Sequence, residues 1–84
     1  MLSMVDQREH LRASKSAALA AKDAFVSRYA SGRDDRAVGI GLSRSGNAWA
    51  VKVMVHTQAA AQELPRRFRD FEVDVEIVGL AEAL

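Results

Sequence analysis

The chain has no cysteine. That excludes disulfides, thiolate-held iron–sulfur clusters and thiol catalysis, and it removes redox usage as a guide to compartment. Histidine occurs twice, at His10 and His56. Large apolar side chains are scarce: three Phe, one Trp, one Tyr and three Met. Nothing forms the long apolar run that a transmembrane helix needs. Charge of one sign is not in excess either. Twelve Lys/Arg face eleven Asp/Glu, for a formal +1, which is no mandate for nucleic acid. What is abundant is alanine, with 15 of the 84 residues. The apolar share of 49% therefore overstates the core, because alanine adds little side-chain area.

These quantities predict one soluble domain spanning residues 1–84, with marginal stability of its own. Burying further surface in a homodimer is one physical remedy. Charge is uneven along the chain. Residues 1–36 carry seven basic and five acidic side chains, residues 37–71 carry five and two, and residues 72–84 carry none and four. Such polarity can orient a partner or a second protomer. The N-terminus holds Asp6 and Glu9 and no compact apolar stretch before Arg8, so no secretion signal is read there and a cytoplasmic location is expected.

The predicted class is α+β, with a long N-terminal helix on one face of a three-stranded sheet, in the order α-β-β-α-β. Residues 5–30 contain no Pro or Gly and are rich in good helix formers. Leu11, Ala18, Phe25 and Tyr29 share a face, Ser14 and Ala21 fill its spacing, and Leu19 and Val26 widen it. Ser3 is placed to cap the helix with Asp6, and Gly32 to end it. Strands are expected over 37–42, 48–56 and 71–78, and a short helix over 58–64 capped by Thr57. Residues 43–47 read as a hairpin loop with Gly46 and Asn47 at positive φ. Pro65 ends the short helix or opens the next turn. Residues 66–70 read as a basic turn or short helical piece, Gly79 ends the last strand, and residues 80–84 form a tail. The alternation in the last strand suits a sheet covered on one face, and its open edges invite strand addition.

Candidate chemistry is thin. Gly39, Gly41 and Gly46 do not fit a dinucleotide fingerprint, since Arg44 stands where the third glycine belongs and a strand follows the loop. Gly39 and Gly41 do leave room on one strand face for a helix or ligand backbone. A small-molecule pocket or small enzyme built on Gly39, Gly41 and His56 is the alternative reading. A Ser43–His56–Asp74 triad can be written down, but no spacing motif supports it. Glu72, Asp74 and Glu76 lie about 7 Å apart in a line, which suits a solvated face better than a metal site. They are also placed to pair with Lys52 or with the arginines at 66–69. Arg66, Arg67 and Arg69 around Phe68, joined by Arg44, form a weak nucleic-acid candidate. Phe68 and Trp49 read first as core residues, with Trp49 a possible interface aromatic.

The Val38-Gly39-Ile40-Gly41 strand, the turn at Gly46, the alternation over 50–55, the Leu64-Pro65 pair and the strand over 73–79 together resemble a small bacterial alpha-beta module of unknown function. A similar stretch occurs alone, or near the N-terminus of some trypsin-like serine peptidases after a helix like that of residues 5–30. The resemblance covers most of the chain, but no peptidase catalytic domain is present. It implies an accessory or interaction module, not protease activity, and supplies no catalytic residues to carry over; separately, no metal or cofactor is expected. The expected function is a non-catalytic interaction or regulatory module that self-associates or holds another protein through a sheet edge or helix face. The expected interaction residues are Trp49, Arg66, Arg67, Phe68, Arg69, Glu72, Asp74 and Glu76, with no role at a membrane and nucleic acid disfavoured.

Overall fold

The computed structural model describes residues 3–78, with side chains from residue 8 onward. Helix α1 spans Ser3–Phe25 and runs directly into a π-helical turn, Val26–Ala30. The single helix expected over 5–30 is thus an α-helix with a wider last turn, for which Val-Ser-Arg-Tyr-Ala carries no compositional signal. The capping contact expected between Ser3 and Asp6 lies outside the described residues, as do Gly79 and the tail over 80–84. Gly32 takes φ +75 just past the helix, the left-handed conformation its sequence position predicts.

Strands β1 (Arg36–Leu42), β2 (Trp49–Val55), β3 (Arg67–Phe68) and β4 (Phe71–Ile77) form one mixed sheet in the order β1-β2-β4-β3. The three-stranded expectation is corrected to four. Residues 66–70 are not helical: Arg67 and Phe68 pair with Glu72 and Phe71 across a two-residue turn. Arg69 makes that turn possible by adopting φ 57, which a non-glycine side chain rarely takes, so no glycine marked the hairpin. The β1–β2 pair is antiparallel and the β2–β4 pair parallel. The parallel return runs through helix α2 (Gln58–Gln62), whose first turn is capped by the Thr57 hydroxyl accepting from the Ala60 N–H at 3.1 Å. Helix α2 ends two residues earlier than expected, ahead of Leu64 and Pro65.

Central strand β2 carries the core. Val51, Val53 and Val55 are at most 1% exposed, and Ala18, Ala21 and Phe25 of α1 lie buried over the same side of the sheet. Burying each of those valines contributes about 1.5–3 kcal/mol. The small residues at 18 and 21 bring the helix backbone close to the strands. Phe25 stacks on Tyr29 at 4.8 Å and meets the edge of Phe68 at 5.3 Å, so the short strand β3 is held by an aromatic cluster. Trp49 anchors the other end, donating its Nε1–H to the Leu11 carbonyl at 2.7 Å. Leu19 does not join the stripe; it is 42% exposed on the helix flank. Asn47 does not share positive φ with Gly46.

The sheet's other face is uncovered by any described element. It carries Ala37, Gly39 and Gly41 on β1, Lys52 and Met54 on β2, and Glu72, Asp74 and Glu76 on β4, with Ala50 on the same face buried beneath its neighbours. Gly39 and Gly41 therefore do not admit the helix. At Gly41 the space is taken by the Lys52 stem, 3.1 Å from where a Cβ would stand, while Gly39 faces open space.

Candidate interaction surface

Among the described residues, two strand edges are open. On β1, the Ser43 N–H donates to the Ala48 carbonyl across the hairpin. Backbone groups alternate along a strand, so those of residues 37, 39 and 41 point to β2 and those of Arg36, Val38, Ile40 and Leu42 point outward. Among the described residues no backbone group accepts or donates there. Leu42 at its end is 46% exposed. On β4, the Val73 N–H donates outward to the Arg66 carbonyl at 2.9 Å, after which Val75 and Ile77 have no strand beside them among the described residues.

The β4 edge lies in an open groove of about 780 Å³. Gln58, Ala61 and Gln62 of α2 form one wall, Leu64, Pro65 and Arg66 close it, and Arg44, Glu72 and Asp74 form the other side. Lys52 donates to Asp74 at 2.7 Å, as their adjacent register positions allow, and Arg44 approaches the same carboxylate at 3.9 Å. The hydrogen bond from Lys52 holds the Asp74 carboxyl below its usual range, against partial desolvation. Glu72 and Glu76 form no ion pair among the described residues, so β4 presents uncompensated acid along its open face.

A third cluster was invisible in sequence. The Arg36 side chain is 1% exposed although its strand lies at the sheet edge. Its Nη1 donates to the Tyr29 carbonyl at 2.9 Å, its Nε to Asp35 at 2.9 Å and its Nη2 to Glu63 at 2.9 Å. Arg33 reaches both carboxylates, at 3.3 and 3.1 Å. One guanidinium thus ties the π turn, the start of β1 and the end of α2. Its hydrogen bonds, helped by the Arg33 charge, pull Asp35 down to about 2 and lower Glu63 as well. Residues 31–36, Ser-Gly-Arg-Asp-Asp-Arg, are polar throughout and by composition form a connection only. Asp35 is adjacent in sequence, but a buried arginine at an edge is signalled by no local pattern, because its other two partners are 7 and 27 positions away.

The other expected residues scatter. Trp49 and Phe68 serve the helix–sheet core. Arg66, Arg67 and Arg69 are exposed around the β3–β4 turn; Arg67 donates to the Asp70 carbonyl at 3.2 Å and Arg69 lies over the Phe68 ring. Ser43 sits at the β1–β2 hairpin with its hydroxyl against that of Ser45 at 3.1 Å, while His56 is exposed past the far end of β2, about 26 Å away by strand rise. The same rise puts His56 about 13 Å from the level of Gly39. Ser43, His56 and Asp74 do not converge, and Gly41 lies level with Ala50, farther still from His56. Among the described residues no group of three His, Asp or Glu is arranged to hold a metal. Among the described residues no helix is long and apolar enough to cross a membrane.

No known protein family matches the chain, and no curated protein or solved structure shows significant similarity to it.

Proposed function

We propose that the chain is a small non-catalytic interaction module, cytoplasmic and self-associating, that works by extending its sheet. The observation that carries this reading is the sheet's termination in open strand edges on a molecule with a narrow core. Unpaired backbone N–H and C=O groups in a row are a template for another strand. Supporting it, Arg36, Asp35 and Glu63 are held in one structural cluster and Lys52 and Asp74 in a cross-strand pair, while Glu72 and Glu76 lie in a line with Asp74 along the sheet. The resemblance to an accessory module points the same way.

Sedimentation velocity of the full chain across a micromolar concentration series tests this reading. The expected result is a species of twice the 9.2 kDa chain mass that dissociates on dilution. A monomer throughout the series, up to the highest soluble concentration, overturns self-association.

A further inference from the structure

Resting on that reading of self-association, we infer that the interface is β1 against β1 of a second copy, antiparallel, with the two-fold axis passing Gly39. Four outward residues, Arg36, Val38, Ile40 and Leu42, are available on each copy. One register satisfies all of them. Arg36 stands opposite Leu42 of the second copy and Val38 opposite its Ile40, with both pairs repeated by symmetry. Each of these four pairs exchanges two N–H···O bonds, and Gly39 faces its own copy at the axis. Shifting the register by two residues in either direction leaves outward groups unpaired at both ends. The product is a continuous eight-stranded sheet with both long helices on one face.

Charge decides between the two edges. Strand β1 has one charged residue, Arg36, and its guanidinium is already committed to Asp35, Glu63 and the Tyr29 carbonyl. On the open face the self-pair brings together only Ala37, Gly39 and Gly41. On the helix side it sets Val38 beside Ile40, a favourable β-branched cross-strand pair, and places Leu42 opposite Arg36 at each end. Nothing guards this edge: no lysine, proline or bulge interrupts Ala-Val-Gly-Ile-Gly-Leu. Strand β4 behaves oppositely. Every antiparallel self-register that pairs its outward residues Val73, Val75 and Ile77 puts carboxylates of Glu72, Asp74 or Glu76 opposite one another. Like charges directly opposed disfavour that pairing. A β1-to-β4 contact between copies is heterologous and grows into open chains rather than closing as a dimer.

Proline and charge substitutions test the assignment, read by sedimentation with circular dichroism as the check on folding. Ile40→Pro removes an outward N–H that the isolated chain does not use, so the fold is retained and the dimer is lost. Ile77→Pro does the same on β4 and leaves the dimer intact. Gly39→Glu fits the open space at Gly39 and sits beside Lys52 in its own chain, yet faces its own copy across the axis. It weakens dimerisation about two- to fivefold. Mixing Gly39→Glu with Gly39→Lys yields a heterodimer tighter than either homodimer, which locates the axis even if Ile40→Pro fails to fold. A dimer that survives Ile40→Pro, or one indifferent to charge at 39, overturns the β1 interface while leaving self-association standing. A wild-type chain that stays monomeric overturns both, and one that grows into polymers overturns the closed pairing.

Discussion

Arg36 concentrates more structural consequence than any other polar side chain described. It is buried at an edge strand, and four hydrogen bonds to Asp35, Glu63 and Tyr29 compensate its lost hydration. Arg36→Ala removes all of them and strands the Tyr29 carbonyl at the end of the π turn. The expected loss is about 2–3 kcal/mol, seen as a lower urea midpoint with an unchanged slope. Arg36→Lys recovers only part of it, since one ammonium cannot span three acceptors in a fork. The same cluster sets an acid limit. Asp35, Glu63 and Asp74 all titrate lower folded than unfolded, so the unfolded chain binds more protons in acid. Their stabilisation is complete above the ordinary carboxylate range and is lost as pH falls through it toward about 2, the folded value of Asp35. Thermal melts should show a Tm flat from neutrality to about pH 5 and declining steadily below pH 4.

At the scale of elements, the long helix is attached to the sheet at two places of different character. Its C-terminal half is held by burial of Ala18, Ala21 and Phe25. Toward its N-terminus the described attachment is the Trp49 indole on the Leu11 carbonyl, with the Lys15 ammonium 6.0 Å from the ring. Trp49→Phe keeps most of the apolar area and loses the donor, at about 1 kcal/mol. The expected signature is local: faster amide exchange around residues 8–15, with protection unchanged around Phe25. Uniform loss along the helix would argue that the indole is not a separate anchor. Much of this helix was legible, because the 3.6-residue spacing of residues 11, 14, 18, 21 and 25 needs no tertiary information. The π turn and strand β3 were not. Arg69 at positive φ closes a hairpin that local sequence would assign to glycine or asparagine, and Phe68 is drawn into a strand by Phe25 and Tyr29 from the helix above.

For the whole molecule, shape is the governing fact. The radius of gyration is 14.6 Å, where a compact chain of this length is expected near about 12 Å. Helix α1 is about 34 Å long and the main strands about 23 Å, so helix and sheet cannot cover each other completely. The core is one layer of side chains deep and depends on β2. A second copy extends that layer sideways without changing it. Folding coupled to dimerisation makes Tm depend on concentration, rising about 3–4 °C for each tenfold increase. Ile40→Pro should abolish that dependence while leaving the circular dichroism spectrum at low temperature unchanged.

What sequence alone determined is what periodicity and local turn chemistry can encode. The class, the helix face, the three main strands, the Thr57 cap, the left-handed glycines at 32 and 46, and the shortage of chemically reactive groups were all readable from spacing and composition. The Lys52–Asp74 pair was within reach as one option among several. Only the tertiary structure decided the strand order, the parallel β2–β4 pairing, the fourth strand, the burial of Arg36 and which backbone edges stay open. Those features depend on residues far apart in the chain meeting across a sheet. An edge is defined by the strand that is not beside it, and no local pattern of residues carries that information.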